Sequence, residues 1–116
     1  MKALTLKPEF AALVLSGDKI IENRSWGTHG KLAGQRIAIH RGTDHETKTP
    51  GAIVCTVVVK AVIDTKMARK LFPKQRKHIS GPKCWVLSDL VMVEPVQCAG
   101  KLSLWDIPKG ITLSPL

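Results

Sequence analysis

The run from Ala52 to Ile63, AIVCTVVVKAVI, constrains this chain more than any other stretch. Most of its residues are β-branched, and such side chains sit well on a pleated surface while losing freedom in a helix. The run is about twice the usual strand length of five or six residues, so it reads as a central strand that must curve or bulge. Lys60 interrupts it, and no segment approaches the ~20 apolar residues a bilayer helix needs.

Shorter elements fit around this strand. KALTL, residues 2–6, is β-compatible and leads to Lys7-Pro8, where proline suits the first helical position. PEFAALVLSG then predicts a helix with Phe10, Leu13 and Val14 on one face and Gly17 as a left-handed stop. KIIENRSW and QRIAIHRG read as strands separated by the glycine-rich GTHGKLAG, and residues 43–50 read as a polar turn. Asp64-Thr65 can cap a short basic helix that stops before Pro73. KCWVLSDLVMVEPVQC predicts one or two strands with Pro95 at an edge or bulge, and GKLSLWDIP a last short one. Several short strands with few helices predict a small barrel, α+β but mainly β. A chain of 116 residues, 44% apolar, is expected to form one domain over residues 1–116 with a real core.

Charge narrows the partners. Eighteen Lys and Arg against nine Asp and Glu give a net +9, a field that favours polyanions and nucleic acid first. From Lys66 to Lys83 the chain carries seven basic residues and no acid. Arg69, Lys70, Arg76 and Lys77 are its candidate phosphate contacts, with a solvated face as the alternative. Only Phe72 interleaves with these charges, and the chain has no Tyr, so a platform stacking many bases is not expected. Cys55, Cys84 and Cys98 are odd in number and form no C-x-x-C pair, which fits reduced thiols. The opening MKALTLKPEF has no signal-peptide core, so the expected location is the cytoplasm. The four histidines show no ligand spacing, and neither a metal nor a cofactor is expected.

One short segment gathers both signs of charge: LSGDKIIENRSW, Leu15 to Trp26. In an extended segment Glu22, Arg24 and Trp26 share one face while Ile21 and Asn23 take the other, and Lys19 lies at the strand's mouth. A Glu–Arg pair beside a lysine offers carboxylate acceptors and guanidinium donors to a base edge or a phosphate. Trp26 adds a stacking face. The plainer alternative is a solvated strand face with an incidental ion pair. His40, at the end of RIAIH, is a further candidate for contact with a base or phosphate, or else a structural histidine. His29 sits in the glycine-rich loop and could belong to a lip, whereas Trp85 and Trp105, among Val, Leu and Ile, read as core.

This segment resembles the signature of the ASCH domain, a branch of the PUA-like superfamily, approximately G-x-K-x-x-[E/T]-x-R. Gly17, Lys19, Glu22 and Arg24 meet it. GQRIAIHRG, GPKCWVL and PVQCAGKLSLWDIP resemble the later blocks in order, so the resemblance runs nearly the whole chain. It implies a PUA-like small mixed β-barrel with one or two short helices and a cleft. It also implies a link to RNA binding, to modified bases and, in one subgroup, to deacetylation of N4-acetylcytidine. That subgroup carries a threonine, its proposed nucleophile, where this chain has Glu22, and a later helical glutamate for which the acid-free Thr65–Gly81 offers no match. The leading expectation is therefore an RNA- or nucleotide-binding module, with DNA also possible, whose pocket uses Lys19, Glu22, Arg24, Trp26 and His40. A hydrolase acting on RNA or a modified nucleoside through Lys19, Glu22 and Arg24 is the alternative, and a protein-interaction adaptor the third.

Overall fold

A computed structural model describes residues 1–25 and 31–116. Strand β1 (Lys2–Leu6) leads into α1 (Pro8–Ser16), β2 (Ile21–Arg24), β3 (Arg36–Arg41) and β4 (Ala52–Asp64). Helix α2 (Thr65–Leu71), a 3₁₀ helix (Pro73–His78), β5 (Lys83–Gln97) and β6 (Leu104–Asp106) complete the chain. Six strands form one mixed sheet in the order β2-β5-β4-β3-β1-β6, curled into a half-barrel. Strand β1 runs parallel to β3, and the other pairings are antiparallel.

The long β-branched run is the central strand, and it bulges as its length demands. Its register against β5 shifts between Ile53 and Cys55, between Thr56 and Val58, and between Val59 and Ala61. Each shift adds local twist and lets the sheet curl. KCWVLSDLVMVEPVQC becomes a single strand of 15 residues. Pro95 falls within the first register break, where no ladder donor is required, and Asp89 takes a φ of 49° within the second.

Local signals set the helix ends. Pro8 opens α1, and Gly17, at φ 83°, closes it while donating its N–H to the Val14 carbonyl. The Asp64 carboxylate caps α2 by accepting from the Met67 N–H at 2.8 Å. The 3₁₀ helix after it follows from Pro73, which cannot continue α2 but suits a first turn. One helical face differs from expectation. Ala11 and Val14 are the buried residues of α1, whereas Phe10 is 41% exposed. Ala11 packs with Leu4, Leu6 and Val14 in the main core, and this turns Phe10 away from it.

Trp85, Ile37, Ile39, Val57 and Val59 share that main core. Trp105 packs with Ala38, Ile53 and Val93, while Ile21, Ala68, Ile79, Cys84 and Val86 form a third cluster that includes α2. None of the described helices is long and apolar enough to cross a membrane.

Candidate ligand-binding cleft

The left-handed stop at Gly17 does more than end a helix. Residues 17–19 fold back so that the Lys19 N–H donates to the Leu13 carbonyl at 3.0 Å. The Lys19 side chain is then buried to 4% exposure, with its ammonium donating to the Ile21 carbonyl and lying 5.8 Å from the centre of the Phe10 ring. Glu22, 7% exposed, stands opposite Trp85 across β2 and β5. Its two oxygens are divided between cations, Oε2 accepting from Arg24 Nη2 at 2.8 Å and Oε1 lying 3.6 Å from Lys19 Nζ. The Arg24 guanidinium lies 5.6 Å from the Trp85 ring centre, a cation–π arrangement. Its Nε–H is buried and has no hydrogen-bond partner among the described residues. Burial pushes the Lys19 ammonium below its usual pKa, against the opposing attraction of Glu22.

Strand alternation gives Asn23 a different task. Its Nδ2 donates to the His78 carbonyl at 2.6 Å, and its Oδ1 accepts from the Ser80 and Gly81 N–H groups at 2.9 and 3.1 Å. Gln75 repeats the device, accepting from the Ile20 N–H and donating to the Asp18 carbonyl. Two amide side chains thus bind the segment after α2 to the signature strand, and that segment becomes the second wall of a cleft.

The cleft has a volume of about 330 Å³, at the low end of the range for small-molecule sites. Lys19, Glu22 and Arg24 line it, as do Phe10, Lys7, Lys77 and His78. Four cations thus face one carboxylate among the described lining residues. His78 has its imidazole pKa lowered by burial first and then by Lys19 and Lys77, with a hydrogen bond to the Asp18 backbone opposing. Its Nε2 is buried without a hydrogen-bond partner among the described residues.

The structure gathers Lys19, Glu22, Arg24 and Lys77 around one space. Arg69 and Lys70 on α2 and Arg76 on the 3₁₀ helix stand outside that lining. Trp26 and His29 lie outside the described residues. His40 is placed elsewhere. It is buried, its Nε2 donates to the Cys98 carbonyl at 2.8 Å, and its Nδ1 accepts from the Thr5 hydroxyl at 3.1 Å. Thr5 in turn accepts from Trp105 Nε1 at 3.1 Å, and the His40 ring meets Trp105 edge-on. The ring is satisfied on both nitrogens.

Phe10 and His78 are cleft residues that the sequence reading did not single out. The first was hidden by an apolar helical spacing that also suits a core. The second depends on a contact spanning 55 residues, from Asn23 to His78.

The sequence matches the ASCH domain family over residues 4–97. The fold is similar to the crystal structure of ASCH from Zymomonas mobilis, with a TM-score of 0.67 and 18% identity over 93% of this chain and 87% of that one. Two single-residue variants of that protein match at a TM-score of 0.65 and 18% identity, over 93% of this chain and 90% or 88% of theirs. At such identity the likeness concerns the fold alone. No curated protein matches the sequence.

Proposed function

The chain belongs to the ASCH domain family, and from that premise we propose that it is an RNA- or nucleotide-binding module whose cleft receives a base or modified base. The observation that carries this reading is the grouping of Lys19, Glu22 and Arg24 in one cavity with the exposed Phe10 ring and Lys77. Arg24 offers fixed donors, Phe10 a flat face, and Lys7 and Lys77 charge for a phosphate. Arg69, Lys70 and Arg76 extend that charge along α2 and the 3₁₀ helix, where further phosphates of a strand would lie. Three free cysteines accord with a reducing compartment such as the cytoplasm.

Hydrolysis in the same cleft is the second reading. One observation favours it: the Lys19 ammonium, desolvated and lowered in pKa, gives up its proton more readily than an ordinary lysine. The engagement of both Glu22 oxygens by cations weighs against a carboxylate base.

A gel of end-labelled single-stranded RNA with wild-type protein, Glu22→Gln and Arg24→Ala, at low and moderate salt, tests both. A salt-sensitive shift without cleavage, lost in Arg24→Ala, supports the binding module. Shortened RNA that disappears with Glu22→Gln makes the protein a hydrolase.

A further inference from the structure

The cleft is not closed at Thr5. A second groove of about 360 Å³ shares that residue and is lined also by Thr43, His45, Gly100, Lys101 and Leu102. Two glycines shape the passage between them. Gly42, just past β3, donates its N–H to the Leu6 carbonyl at 2.8 Å, and a Cβ on it would lie 3.3 Å from that oxygen and 3.5 Å from the Thr5 methyl. Glycine therefore adds no side chain to the ridge that separates cleft and groove. Gly100 lets the loop between β5 and β6 settle directly on Thr5 and His40, since a Cβ there would lie 2.5 Å from Thr5 Oγ1. That loop is also tied at its start. The Cys98 N–H donates to the Gly51 carbonyl at 3.1 Å, and the Cys98 carbonyl accepts from His40 Nε2 at 2.8 Å. Lys101 and Leu102 are thus carried at the lip of the groove, both of them exposed.

The groove has the chemistry of a place for an anion beside a base. No carboxylate belongs to its lining. Lys101 forms no ion pair among the described residues, and Asp106, which feels its charge, is paired instead with Lys2 at 2.9 Å. An ammonium that no carboxylate holds is available to a phosphate oxygen. Leu102 is 93% exposed and offers an apolar surface beside it. His40 is only the floor, because both its nitrogens are satisfied within the protein. A route from Lys7 over Pro8 instead meets Glu9, Asp44 and Glu46, which oppose a polyanion.

With the cleft read as a nucleotide site, we propose that a single strand seated there crosses the Thr5 ridge and places its adjoining nucleotide in this groove. Lys101 holds the phosphate and Leu102 lies against the base. The ligand is then an oligonucleotide spanning both places rather than a free mononucleotide.

The test is an NMR titration of the whole chain with ribonucleotides of one, two and three residues, made with each of the four bases and repeated at several salt concentrations. Affinity is expected to rise from one residue to two or three, and the Leu102 methyl signals should move with the longer probes but not with the mononucleotide. Lys101→Ala should weaken the trinucleotide about two- to fivefold, as loss of one exposed ion pair implies. It should also lower the slope of log affinity against log salt by about 0.7, the value for one phosphate of a single strand. Mononucleotide binding should be unchanged, and Lys101→Glu should weaken the trinucleotide further. If every length binds equally, the groove is overturned while the cleft remains a nucleotide site. The same holds if the gain with length survives in Lys101→Ala, or is lost only in Arg69→Ala/Lys70→Ala. If no probe binds, the nucleotide reading and this proposal fall together.

Discussion

Glu22 accepts from Arg24 at 2.8 Å with one oxygen and faces Lys19 at 3.6 Å with the other, so a single carboxylate offsets two cations at the floor of the cleft. Removing it leaves Lys19 buried with its charge uncompensated. Breaking a buried pair in this way costs about 3–5 kcal/mol. Urea denaturation should therefore show Glu22→Ala strongly destabilised. Arg24→Ala should cost less, because Glu22 keeps Lys19 and Arg24 is the more exposed partner.

Lys19 sets a pH dependence whose sign is fixed by its depressed pKa. Between the lowered folded value and the unfolded value near 10.5, the unfolded chain binds the extra proton, so stability rises with pH across that window. Charged Lys19 is thus a cost at neutral pH that alkaline conditions relieve. The stability difference between wild type and Lys19→Met, followed by denaturation from pH 7 to pH 10.5, should shift towards wild type as pH rises. A flat difference would contradict the assignment.

Asn23 lines the cleft beside Glu22 and Arg24 and fastens its second wall through three hydrogen bonds. Asn23→Ala leaves the His78 carbonyl and two N–H groups without their partner, at about 1–3 kcal/mol for each one that stays buried. It should lower the melting temperature and weaken RNA binding although Lys19, Glu22 and Arg24 are intact. Amide exchange should rise at Ser80 and Gly81 before it rises in β4.

Gly100 constrains the packing around His40. A Cβ there would lie 2.5 Å from Thr5 Oγ1 and 2.7 Å from the His40 ring, and one at Gly51 would meet that ring at 2.7 Å as well. Gly100→Ala is expected to destabilise by about 1–3 kcal/mol through overpacking. In a Gly100→Ala/His40→Ala double variant the two costs should fail to add, because removing the ring removes part of the clash. Thermal melts of the two single variants and the double variant decide this.

What could be read from the sequence is what short-range chemistry encodes. The β-branched run gave a long central strand, Pro8 and Gly17 bounded α1, and Asp64 capped α2, each signal lying within a few residues of its effect. Lys19, Glu22 and Arg24 were visible as a cluster for the same reason. The second wall was not, because it depends on Asn23 and Gln75 reaching across more than fifty residues to groups with no distinctive local pattern. His40 illustrates the converse. Its place at a strand end suggested an open site, but Thr5, Cys98, Gly51 and Gly100 close around it from distant parts of the chain. Phe10 faces the cleft because a nine-residue helix turned only Ala11 and Val14 fully inward, a choice that apolar spacing alone does not make.

The most direct measurement is chemical-shift mapping of isotopically labelled protein titrated with a short single-stranded RNA. The account predicts that the largest changes fall on Lys19, Glu22, Arg24, Phe10, Lys77 and His78, the lining of one cleft. Changes confined to β6 and the loop at Leu102, or no changes at all, would contradict it.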